Sequence, residues 1–69
     1  MEYPQKLKKL RLEKNISRKE LAQQTGVSER IIYNIETLRN KKNKISYALI
    51  FSGFFKVSMD YLIGLKENR

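Results

Sequence analysis

Ser17-Arg18-Lys19-Glu20-Leu21-Ala22-Gln23-Gln24-Thr25-Gly26-Val27-Ser28-Glu29-Arg30-Ile31-Ile32-Tyr33-Asn34-Ile35-Glu36 decides the fold of this chain. Ser17 followed three residues later by Glu20 is a capping box, in which the hydroxyl accepts from the backbone near Glu20 and the carboxylate reaches back. Leu21 and Ala22 follow on the side to be buried. Gly26 takes the left-handed conformation that ends a helix without a Cβ penalty, and Val27 supplies the apolar contact that accompanies such a cap. Ser28 is a good N-cap for a second helix, whose apolar seam is Ile32 and Ile35 while Glu29, Arg30, Tyr33 and Asn34 point elsewhere. A glycine turn this short makes the two helices cross steeply, the geometry of a helix-turn-helix unit. Ala22, four residues before the glycine, is small enough to let the second helix approach the first.

Outward from this pair, Tyr3, Leu7 and Leu10 recur at helical spacing, predicting an amphipathic first helix from about Pro4 to Lys14, with Pro4 tolerated in its first turn. Lys6, Lys8, Lys9 and Lys14 form its other face, either solvated or touching phosphate near the helix start. Asn15 suits the left-handed conformation at the helix end. The stretch Arg39-Asn40-Lys41-Lys42-Asn43-Lys44 carries four positive charges and no negative one. Beyond it, Ile45, Ala48, Leu49, Ser52 and Phe55 share one helical face and are expected to close the core. Tyr47, Ile50 and Phe54 make a second apolar stripe, which is either covered by the C-terminal helix and tail or joins a subunit interface. Gly53 within this helix costs about 1 kcal/mol relative to alanine and is expected to permit a close contact. Ser58 caps a closing helix over about 58–64, with Asp60 in its first turn and Tyr61, Leu62 and Ile63 completing the core. Leu65 to Arg69 reads as frayed.

The pattern Ile16-Ser17-x-x-Glu20-Leu21-Ala22-x-x-Thr25-Gly26-Val27-Ser28-x-x-x-Ile32-x-x-Ile35-Glu36 closely resembles the DNA-binding domain of the lambdoid Cro and C1 repressors, the XRE-type regulators. The resemblance continues through Val57-Ser58-Met59-Asp60-Tyr61-Leu62-Ile63-Gly64 and so covers nearly the whole chain. It implies an all-α fold, a five-helix lambda-repressor-like domain over 1–69, with the helix-turn-helix at about 17–36. It implies further that Arg11 pairs with Glu36 to tie the first helix to the third, and that the loop 39–44 borders the DNA backbone. Thr37 and Leu38 stand where the family usually has a glycine, which predicts one further turn of the third helix.

Length and composition agree with that reading. The chain has 69 residues, enough for one domain and near the lower limit for burying an adequate core. It has no cysteine and no histidine, which excludes disulfides and the usual zinc ligand sets. Neither a metal nor any other cofactor is expected, nor a small-molecule ligand. Fifteen Lys and Arg against seven Asp and Glu give a net charge of +8, and a sequence pI near 10.0, so polyanions are the natural partners. No apolar run approaches the roughly 20 residues of a spanning helix, and no apolar leader of about 7 to 15 residues is visible; a cytoplasmic protein, near the nucleoid when bound to DNA, is expected. Without histidine, cysteine or a Gly-rich phosphate loop, no constellation for enzymatic chemistry is present. The few aromatics form no stacking platform for single-stranded RNA.

In a helix-turn-helix, the start of the second helix faces base edges in the major groove. Ser28, Glu29, Arg30, Ile31, Tyr33 and Asn34 are the candidate base contacts. Arg30 suits guanine O6 and N7, Asn34 adenine N6 and N7, Glu29 cytosine N4, and Ile31 a thymine methyl. Arg18 stands where the family commonly has a glutamine that braces a phosphate and the recognition helix; arginine keeps a donor there and adds charge, and it is the leading phosphate contact, helped by the amides of the same helix start. Arg39, Asn40, Lys41, Lys42 and Lys44 are the further phosphate candidates. The resemblance implies a homodimeric repressor of phage, plasmid or bacterial type on a palindromic operator. With no attached sensor domain the chain looks more like a Cro-type or plasmid regulator than an inducible repressor. The alternative is a protein-interaction module reusing the fold, antitoxin-like or polymerase-binding, with Tyr47, Ile50 and Phe54 as the self-association or partner surface.

Overall fold

The computed structural model describes residues 3–37 and 45–67. Within them the chain forms five α-helices and no strand: α1 (Tyr3–Glu13), α2 (Arg18–Thr25), α3 (Glu29–Glu36), α4 (Ile45–Phe55) and α5 (Met59–Leu62). The basic stretch at Arg39, Asn40, Lys41, Lys42, Asn43 and Lys44 lies outside the described residues.

Each boundary follows from local chemistry. Ser17 Oγ accepts from Glu20 N at 3.1 Å and the Glu20 carboxylate accepts from Ser17 N at 3.0 Å, so both halves of the capping box form. Gly26 ends α2 at φ 78°, and its N–H donates to the Ala22 carbonyl. Asn15 at φ 59° and Lys56 at φ 57° perform the same turn without being glycine. At these two, the next amide reaches five residues back, Ile16 N to Arg11 O and Val57 N to Ser52 O, the outer bond of a Schellman cap. Three helix ends thus share one local grammar: a left-handed residue, a β-branched apolar residue, then a serine N-cap. It reads Asn15-Ile16-Ser17, Gly26-Val27-Ser28 and Lys56-Val57-Ser58.

The third helix does not gain the extra turn expected of Thr37-Leu38. It stops at Glu36, and Thr37 caps it, donating its hydroxyl and its amide to the Tyr33 carbonyl. The closing helix is also shorter than 58–64, ending at Leu62, with Gly64 at φ 90°. Leu65 and Lys66, expected to be frayed, are tied back: their amides both donate to the Asp60 carbonyl, and Lys6 Nζ reaches the Lys66 carbonyl.

Leu7, Leu10, Leu21, Ile32, Ile35 and Phe51 make the centre of one core to which the first four helices contribute, and α5 adds Tyr61 and Leu62. On α4 the expected face is rotated. Ala48, Ser52 and Phe55 are buried as expected, but so is Phe51, while Ile45 is 71 % and Leu49 62 % exposed. The second stripe divides as well. Tyr47 and Phe54 are half-buried against the core, Phe54 meeting Phe55 edge-on at 5.0 Å beneath Lys14, and of the three only Ile50 is exposed. Lysine stems on α1 serve as covers, since Lys6 Nζ lies 4.2 Å from the centre of the Tyr61 ring.

One polar atom in the core is poorly served. The Tyr3 hydroxyl finds no hydrogen-bond partner among the described residues, and burial pushes its pKa up to about 12. A group whose pKa rises on folding contributes stability that is complete below its unfolded value, near 10, and is lost as the pH climbs through the folded value. Between about pH 10 and 12 the wild type is therefore expected to lose on the order of 2 kcal/mol that Tyr3→Phe does not lose. At neutral pH the same change is expected to be neutral or slightly stabilising, since it removes an unpaired buried hydroxyl. Thermal melts of both proteins across this range check the difference; parallel alkaline losses would refute it.

Candidate nucleic-acid interface

The surface built by α2 and α3 starts from the two serine caps. Ser28 Oγ accepts from Ile31 N at 3.1 Å, which fixes the first turn of α3 and commits the hydroxyl oxygen to the backbone. From there α3 turns Ile32 and Ile35 into the core. The outward strip is Glu29, Arg30 and Tyr33, with Asn34 half-buried at its margin. Ile31 is partly buried and packs against the core, so it offers less to a groove than its place in the sequence suggests.

Arg18 stands beside this strip. Arg18, Glu29, Arg30 and Tyr33 line one open depression on the surface. The Arg18 guanidinium carbon lies 5.2 Å from the centre of the Tyr33 ring, within cation–π range. Its Nε donates to Glu36 Oε1 at 2.9 Å. Arg18 therefore braces the end of α3 through an acceptor that the sequence reading did not name, and only the other edge of its guanidinium remains for a phosphate. Nothing in its own sequence neighbourhood signals this, because the partner is 18 residues away.

Glu36 is the hub. Its side chain is 1 % exposed although it ends a surface helix. Arg11 Nε donates to Oε2 at 2.8 Å and Arg11 Nη2 to Oε1 at 3.1 Å, while Arg11 Nη1 donates to the Ile16 carbonyl at 2.9 Å. One carboxylate thus accepts from two arginines and joins α1, the start of α2 and the end of α3. The fork of Arg11 matches the carboxylate as no lysine would. Two cations on one anion leave the unit at +1, beside a surface that also carries Arg30.

The remaining positions named from sequence fall elsewhere. Arg39, Asn40, Lys41, Lys42 and Lys44 are outside the described residues. Tyr47, Ile50 and Phe54 are on α4, a separate element from the α2–α3 strip. Among the described residues there is no cluster of acidic, histidine or cysteine side chains that could hold a metal, and no helix is long and apolar enough to cross a membrane.

A family model described as helix-turn-helix matches residues 7–62, from the core leucine of α1 to that of α5. No curated protein and no solved structure matches the chain. The match spans α2, α3 and the hub that braces them, and by it the chain belongs to the Cro/C1-type (XRE) helix-turn-helix family, whose members are DNA-binding transcription regulators.

Proposed function

We propose that this protein is a homodimeric repressor that reads a palindromic operator through the major groove, and that it is not an enzyme. One domain offers one reading helix, and a single half-site carries too little information to be found in a genome; two copies on one face of the duplex supply the rest. The reading rests chiefly on the outward strip of α3, where Glu29, Arg30 and Tyr33 stand clear of the core beside Arg18. Arg30 donates to a guanine, Glu29 selects cytosine and repels misplaced phosphates, and Asn34 and the exposed edge of Tyr33 complete the half-site, with Ser28 and Ile31 in supporting places. Arg18, Arg39, Asn40, Lys41, Lys42 and Lys44 hold the backbone. The chain works in the cytoplasm, on the nucleoid when bound, without a cofactor or a small-molecule ligand.

Selection of bound duplexes from a randomised library at near-physiological salt tests this. An enriched palindrome with half-sites about one helical turn apart is the expected result. Arg30→Ala is then expected to lose about 1 to 3 kcal/mol of discrimination at one base pair in each half-site, while Lys42→Ala weakens all sequences alike. Equal losses on every sequence for both variants would remove Arg30 from base readout. An unenriched pool would favour the interaction-module reading instead.

A further inference from the structure

The solvent side of α1 carries a leucine that neither the core nor the α2–α3 surface uses. Leu12 is 56 % exposed, while Leu7 and Leu10 of the same helix are buried. At about 100° of turn per residue, Leu12 and Gln5 fall on the side of α1 opposite Leu7, with Lys8 and Lys9 flanking them. Together with Glu13 these residues line an open depression of about 550 Å³. So open a hollow does not enclose a small molecule, because ligand pockets bury most of a ligand's surface. It suits a segment of a macromolecule.

A single exposed leucine is ordinary. The lysines beside this one set it apart. Lys6 and Lys14 are used inside the chain, with Nζ 4.2 Å from the centre of the Tyr61 ring and 5.8 Å from that of Phe54. Lys8 and Lys9 are exposed and, among the described residues, have no hydrogen bond, ion pair or ring partner. Glu13, the one acid of the lining, is engaged with another group and neutralises neither. The patch therefore offers two unpaired ammonium groups beside an apolar side chain. Carboxylates match the first and a large apolar side chain the second. A nucleic-acid backbone would satisfy the lysines but gain nothing from Leu12, and a second copy of the patch would set lysine against lysine.

We propose that the outward face of α1 is a docking site for an acidic amphipathic helix of another protein, with an apolar side chain packed on Leu12 and carboxylates paired with Lys8 and Lys9. The site is separate from the reading surface. Arg11, which holds Glu36 at the end of α3, lies about 100° round the helix from Leu12. A partner seated here leaves Arg18, Arg30 and Tyr33 open, so it rides on the regulator without occupying its reading helix.

The test is a titration of the full chain with two synthetic helical peptides of equal negative charge, read by backbone and methyl NMR shifts and by calorimetry. One peptide sets Leu and Glu in an amphipathic pattern; the other has alanine in place of every leucine. The Glu/Leu peptide is expected to shift Gln5, Lys8, Lys9 and the Leu12 methyls, and to bind about tenfold or more tighter than the Glu/Ala peptide. Leu12→Ser removes that advantage and leaves the melting temperature and the duplex affinity as in wild type, because the side chain is exposed and off the α3 strip. Lys8→Gln combined with Lys9→Gln weakens the Glu/Leu peptide and flattens its salt dependence. Arg30→Ala binds that peptide like wild type, so the operator reading and this one fail separately. Equal affinity for the two peptides, peptide shifts centred on Arg18, Arg30 and Tyr33, Leu12 shifts on concentrating the free chain alone, or Leu12 shifts as large with a random duplex as with the peptide would each overturn the proposal.

Discussion

Glu36→Ala is expected to destabilise the domain by about 3 to 5 kcal/mol, the penalty for removing one partner from a buried ion pair. Among the described residues the carboxylate is the acceptor for both Arg11 Nε and Nη2, and the Arg11 side chain is 8 % exposed. Once it is gone, the guanidinium keeps the Ile16 carbonyl alone and stays in a place water hardly reaches. Domains of this size have a total stability of only several kcal/mol, so the variant is expected to be largely unfolded at 37 °C. Arg11→Ala should cost less, because Glu36 retains Arg18 as a counter-charge. Arg18→Ala should cost less again, under about 1 kcal/mol, because that side chain is a third exposed and its ion pair is screened. Urea denaturation midpoints of the three variants give the order directly. If Glu36→Ala melts within about 1 kcal/mol of wild type, the hub does not hold the three helices together, and α3 is positioned by Ile32 and Ile35 alone.

The same residues show how far the sequence could be read. The bonds of Ser17 with Glu20 and of Ser28 with Ile31 span three residues, so capping rules reach them without knowledge of the fold. The Arg11 to Glu36 pair spans 25 residues and was visible only through a family resemblance. For the bond from Arg18 to Glu36 the resemblance implies a brace on the recognition helix from that position, but neither it nor spacing names Glu36 as the acceptor. Lys56 in the left-handed region was not foreseen because lysine has no preference for it, though the following Val57-Ser58 repeats the pair found after Gly26. The α4 face was misjudged for a plainer reason. A periodicity argument needs polar residues to mark the outside, and Ile-Ser-Tyr-Ala-Leu-Ile-Phe-Ser-Gly-Phe-Phe has almost none, so the buried Phe51 could not be told from the exposed Leu49. Only its packing against the other helices decides which side is in.

Duplex affinity is expected to fall by about 10³ to 10⁵ between 50 and 200 mM salt, the loss for a protein neutralising about 6 to 10 phosphates, with a log–log slope of roughly −5 to −9 for the dimer. The basis is the distribution of charge as much as its total. Arg18 and Arg30 share one depression with a single acidic side chain, Glu29, and the hub behind Arg18 retains +1 after Glu36 has offset one of two arginines. Arg18 is the informative position, since its Nε is held by Glu36 and its remaining edge is the part that would reach a phosphate. If it does, Arg18→Ala reduces the slope by about 0.9 in each half-site and weakens all sequences alike, with little change in stability. If Arg18 only braces α3 and Tyr33, the slope stays as in wild type while base preference blurs. Arg18→Lys sharpens the distinction: lysine keeps the charge but has no planar fork with which to hold Glu36 and a phosphate at once, so it is expected to restore part of the slope and little of the order at Tyr33. A wild-type slope shallower than about −2, the loss for only two phosphates, would mean that the +8 of this chain is not aimed at a polyanion backbone, and the duplex reading would fall with it.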